Sequence, residues 1–99
     1  MPTLLASSTI GASVTITIPV NGARQTVIRA THFSYSTAFI GALTITQQDA
    51  TVLFNLDIRG QGSYLSPGGI GVTLGQTVSI MLVGATGAIG KLVVEYDYL

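Results

Sequence analysis

At 99 residues the chain has the size of one domain, and a domain this small buries only about 60 to 65% of the surface its unfolded form exposes. It has no Cys and one His, so of the usual reinforcements of small folds, disulfides, metals and oligomerisation, the last is expected. Charged residues make up 8%, four Lys+Arg against four Asp+Glu with zero net charge, where soluble domains carry about 25%. Such a chain cannot cluster the phosphate contacts that drive nucleic-acid affinity.

Hydrophobic content of 47% and mean hydropathy of +0.60 raise the question of a membrane. The apolar residues come in short runs broken by Thr, Ser, Gly and Asn, far below the ~20 that a spanning helix needs. An outer-membrane barrel of eight long strands barely fits the length. The opening MPTLLASSTIGAS has no basic stretch, and the first basic residue is Arg24, so no signal peptide and synthesis in a cytoplasm are expected.

Period-two alternation dominates in chain order, and helix formers are sparse. Val14, Ile16 and Ile18 alternate with Thr15 and Thr17, and Asn21-Gly22 reads as a turn. Residues 25–36 form a long strand with Val27, Arg29, Thr31, Phe33 and Tyr35 on one face and Ile28, Ala30, His32 and Ser34 on the other. Its length implies a strand shared between two sheets or bent midway. Leu43 and Ile45 mark the next strand, Gln47-Gln48-Asp49 a polar turn, and Val52, Phe54, Leu56 and Ile58 a further inward-facing set.

Residues 60–71 hold five Gly and one Pro, which predicts the longest loop, with Tyr64 and Leu65 as a short edge strand at most. Ile70, Val72 and Leu74 alternate briefly, then Val78, Ile80 and Leu82, and finally Leu92, Val94, Tyr96 and Tyr98. Seven or eight strands at spacings of about 8 to 12 residues predict an all-β, antiparallel β-sandwich of jelly-roll type. With no repeat and no linker, residues 1–99 are read as a single domain.

Motifs that carry chemistry fail one by one. GATGAIGK at residues 84–91 lacks the first Gly of a phosphate-binding loop at Ala85 and the metal-holding hydroxyl at Leu92, and a strand pattern follows it. It reads as a hairpin turn. Nucleophilic catalysis would rest on His32 alone, with no Gly-x-Ser-x-Gly elbow. One His and no Cys exclude ordinary zinc sites, leaving Asp49, Asp57, Glu95 and Asp97 as calcium candidates. Glu95 and Asp97 share a strand face and read more simply as charges guarding the edge of the last strand. Four scattered carboxylates do not make a glycosidase cleft. No catalytic, cofactor-binding or metal-binding residue is assigned, and no enzyme activity or cofactor is expected.

Tyr64 on the Gly-rich segment, with Phe39, is the candidate loop contact for a sugar or receptor. Tyr35, Tyr96 and Tyr98 follow the apolar alternation and read as core or interface. Outward-facing positions carry Thr, Ser, Gln and Asn, which are cheaper to desolvate than charges. Such a surface suits permanent packing against neighbours.

The segments HFSYS (32–36), GALTI (41–45), VLFNLDI (52–58) and GAIGKLVVEY (87–96), in that order and spacing, resemble small β-sandwich structural proteins of tailed bacteriophages, including capsid decoration or cement proteins. The resemblance runs from about residue 31 to residue 99, and the N-terminal third has no counterpart. It implies a non-enzymatic virion protein, assembled in the host cytoplasm, that oligomerises and stabilises the shell by binding major capsid or other virion subunits. The alternative is a receptor- or carbohydrate-binding module of a tail or fibre.

Overall fold

The computed structural model describes residues 3–9, 11–36, 40–59, 61–84 and 88–99, with backbone alone at residues 40, 59 and 61–68. Eight strands run through them: Thr3–Ser7 (β1), Val14–Ile18 (β2), Thr26–Tyr35 (β3), Ile40–Gln47 (β4), Val52–Arg59 (β5), Gln61–Gly71 (β6), Val78–Leu82 (β7) and Gly90–Tyr98 (β8). There is no helix among the described residues. The strands form two antiparallel four-stranded sheets, ordered β1-β8-β3-β6 and β2-β7-β4-β5.

This order follows from one long ribbon folded back at the turn between β4 and β5, so that β4 pairs with β5, β3 with β6, β2 with β7 and β1 with β8. Rolling the ribbon adds the pairs β3·β8 and β4·β7, which gives the jelly roll. The β4–β5 connection is therefore the hairpin, and every other connection crosses between sheets. GATGAIGK at residues 84–91, expected as a hairpin turn, falls where the chain passes from β7 to β8, and these two strands belong to different sheets and do not form a hairpin.

The alternating sequences bury one side of each strand, as the period of two dictates. Ile18 of β2, Leu43 and Ile45 of β4, Val78, Ile80 and Leu82 of β7, and Leu92 and Val94 of β8 are wholly buried between the sheets. Tyr35 crosses from β3 to the second sheet, where its hydroxyl donates to the carbonyl of Val83 at 2.6 Å. Gly41 makes room for that ring, since a Cβ there would collide with the Tyr35 hydroxyl.

Three further expectations are corrected. Residues 61–71 form the edge strand β6 and not a loop. An edge strand needs hydrogen bonds on one side only, and the four residues 66–69, which include Pro67, bulge out opposite Arg29 alone. Gly69 supplies the positive φ of +83° that this bulge needs. Second, β3 is not shared between the sheets, so of the two readings of its length only a break within the strand is left. Its irregularity between Ile28 and Ala30 breaks the alternation, so Val27, Ile28 and Ala30 are all buried while Arg29 joins His32 and Ser34 on the partly exposed side. Third, Ile70–Leu74 is not a strand of its own. Ile70 ends in β6, Val72 is buried, and Leu74 lies exposed in the turn before β7.

Candidate functional site

The turn of Gln47, Gln48 and Asp49 closes the β4–β5 hairpin, and Gln47 is more than a surface residue. Its side chain is buried, its Oε1 accepts from the Thr73 amide at 2.6 Å, and its Nε2 donates to Asp49 Oδ1 at 3.3 Å. Asp49 also accepts from the Thr51 amide at 3.0 Å. That backbone bond, with side-chain bonds from Thr51 and Gln47, holds the Asp49 carboxyl below its usual range. The arrangement ties the hairpin to the loop before β7 and leaves Asp49 spent on the turn.

At the opposite end, three serines take up backbone amides that a phosphate-binding loop would need free. Ser13 Oγ accepts from Gly84 N at 2.7 Å, Ser36 Oγ from Ile89 N at 2.9 Å, and Ser8 Oγ from Gly90 N at 2.9 Å. A Cβ at Gly84 would lie 2.7 Å from the backbone of residues 11–13, so glycine is required by the close approach of two loops. Lys91 follows in β8 with its side chain exposed.

The charged residues concentrate on the outer face of the first sheet. Arg29 Nε pairs with Asp97 Oδ2 at 3.1 Å, and His32 Nε2 with Glu95 Oε2 at 3.1 Å, all four side chains about one-third exposed. Glu95 and Asp97 were expected at a sheet edge. In fact β8 lies between β1 and β3, with Thr3 of β1 opposite Glu95, so Glu95 is not at an edge, and both carboxylates pair with side chains of β3. Among the described residues no three His, Cys, Asp or Glu side chains gather to hold a metal.

The outer face of the second sheet is different in kind. Two rows run across its four strands, Thr15, Met81, Thr44 and Asn55 in one and Thr17, Ser79, Thr46 and Val52 in the other; the inward reading of Val52 is corrected, since the β4–β5 register shifts between Ile45 and Thr46 and Val52 lies exposed opposite Thr46. Strand spacing of about 4.8 Å sets these side chains side by side, and Thr17 and Ser79 share a hydrogen bond at 3.1 Å. Asp57, on edge strand β5 and opposite Ala42, is the one charge we find among the described residues of this face. Sequence reading found the hydroxyl-rich character but could not assign it to one sheet.

Of the two predicted loop contacts, Phe39 lies outside the described residues. Tyr64 stands in β6 opposite Thr31, in a strand where a loop was expected, and its side chain is likewise outside the description.

No protein-family model matches the chain, and no curated protein matches it. A solved structure described as "CBM4 structure and function" is similar over 98% of this chain and 84% of that one, at 12% identity and a TM-score of 0.48. A likeness of that depth carries no argument about function.

Proposed function

We propose that this protein is a non-enzymatic structural subunit of a virion, of the capsid decoration or cement kind, which oligomerises and adheres to other virion subunits through the outer face of its second sheet. The observation that carries the reading is the composition of that face, two cross-sheet rows of Thr, Ser, Asn, Met and Val without a charge. Covering a hydroxyl or amide costs about 1 to 3 kcal/mol and can be offset by a bond across the contact, whereas an unpaired ion costs several. The resemblance of residues 31–99 to phage structural proteins supports a virion as the assembly.

The test is mass spectrometry of purified, washed particles together with the Thr44→Lys variant. The account expects the protein in the particles and at least about a tenfold loss of binding for Thr44→Lys, with melting unchanged. Absence from washed particles contradicts it. Loss of adsorption to cells or glycans in Tyr64→Ala, with particle stability intact, would favour the receptor- or carbohydrate-binding alternative.

A further inference from the structure

The four sheet edges are not equally guarded. Exposed edges invite pairing with other chains, and proteins blunt them with charge, proline or bulges. Edge strand β5 carries Asp57 and Arg59 in its sequence, with an irregularity against β4 between Ile45 and Thr46. Edge strand β6 is broken by Pro67 and its four-residue bulge. On the other side of the sandwich, β1 (TLLAS) and β2 (VTITI) have no charge, no Pro, no Gly and an unbroken register with their one neighbour.

Strands β1 and β2 differ in turn. The inward residues of β2, Val14, Ile16 and Ile18, are already buried. Those of β1, Leu4 and Ala6, pack against the core but are only partly buried. Leu5, at the centre of β1, is 75% exposed, more than any other large apolar side chain described. It lies opposite Val93 of β8, an apolar pair at the rim of the sheet.

We infer that β1 pairs with β1 of a second copy, antiparallel and centred on Leu5, joining the two first sheets into one of eight strands. The sequence of β1 fits its own reverse. About a two-fold axis at Leu5, Thr3 stands opposite Ser7 of the partner subunit, Leu4 opposite Ala6 of the partner subunit, and Leu5 opposite Leu5 of the partner subunit. Outward positions then match hydroxyl to hydroxyl, a favourable cross-strand pair. Inward positions match large to small, which packs without overfilling. Both Leu5 side chains meet, and a two-fold contact of identical edges closes on itself. The inference rests on the assembly reading only for its biological setting, because the dimer is a property of the purified chain.

The chain contains no Cys, which makes cross-linking a direct test. Directly opposed residues in antiparallel strands have Cα atoms about 4.5 to 5.5 Å apart, within the span a disulfide bridges. Under mild oxidation Leu5→Cys is expected to form a covalent dimer, and a mixture of Thr3→Cys with Ser7→Cys a mixed disulfide faster than either variant alone. In sedimentation velocity up to about 1 mM, the unmodified chain is expected to dimerise, and Leu5→Lys to weaken the dimer at least about tenfold by setting like charges opposite each other. Since Leu5 is mostly exposed, circular dichroism of Leu5→Lys should match the parent, as should its melting at concentrations low enough that the parent is monomeric. A strictly monomeric parent overturns the inference, as does cross-linking of Thr15→Cys or Thr17→Cys on β2 as fast as Leu5→Cys. If the β1 dimer forms but washed particles lack the protein, the virion reading falls and this inference stands. If particles contain the protein but Leu5→Cys stays monomeric, the reverse holds.

Discussion

The two sheets share one core and present opposite exteriors. On the first, Arg29, Asp97, His32 and Glu95 pair across β3 and β8; on the second, the central strands β7 and β4 show Ser79, Met81, Thr44 and Thr46. Partly exposed ion pairs contribute about 0 to 1 kcal/mol, so the charges of the first face do little for the fold. They do make that face costly to cover with an uncharged surface. A chain with so few charges has placed half of its formally charged side chains that are Lys, Arg, Asp or Glu, namely Arg29, Lys91, Glu95 and Asp97, on one sheet. The difference teaches which side can be desolvated cheaply.

If the contrast belongs to the exteriors alone, the interiors of the two sheets should respond alike. Leu82→Ala in β7 and Leu92→Ala in β8 remove wholly buried side chains and should each cost about 2 to 5 kcal/mol in denaturant unfolding. A loss confined to one sheet would show that the sheets unfold separately and break the comparison.

A smaller effect of the opposite sign is expected at Thr31, on the inward side of β3. Its hydroxyl is wholly buried and has no hydrogen-bond partner among the described residues. Thr31→Val keeps the shape and removes the buried hydroxyl, and should raise stability by about 1 kcal/mol. Destabilisation by the same chemical denaturation assay would mean that the hydroxyl is satisfied.

Smaller still, a double-mutant cycle on Arg29 and Asp97 should return about 0.2 to 1 kcal/mol, diminishing with added salt. The cycle on Thr17 and Ser79, bonded at 3.1 Å, should be insensitive to salt. Equal salt dependence of the two would erase the distinction between the faces.

The smallest effect is at Asp49, whose carboxyl is held below its ordinary value by the Thr51 amide, the Thr51 hydroxyl and Gln47. A depressed carboxylate contributes stability that is fully present above the unfolded value of about 4 and is lost as pH falls through the lower folded value. Acid titration of Asp49→Asn should therefore show a shallower loss of stability below about pH 4 than the parent. An unchanged acid limb would remove Asp49 from the account of the turn.

Most strands were legible because their alternation is regular. β2, β4, β5, β7 and β8 follow from Val, Ile, Leu and Thr at period two, and the polar turn at Gln47 follows from its composition. β6 was hidden because five glycines and a proline lower strand propensity, while an edge strand is held by backbone bonds to β3. β1 was hidden because TLLAS sets two Leu side by side and shows no alternation of apolar and polar residues. The phase break at Arg29 could not be read, since a bulge depends on what the neighbouring strands do. Which strands cross between sheets, and so where Gly84 and Gly41 sit against Ser13 and Tyr35, is decided only by tertiary packing. The proposed contact surface was legible as a deficit of charge, and its confinement to one sheet was not.

The most direct measurement is an electron cryomicroscopy map of purified particles in which this chain can be traced. The account predicts Thr44, Thr46 and Ser79 turned toward the neighbouring virion subunit, with Lys91, Glu95 and Asp97 toward solvent. A map in which the chain is absent, or in which the Arg29–Asp97 face lies against the shell and the threonine rows face solvent, would contradict it.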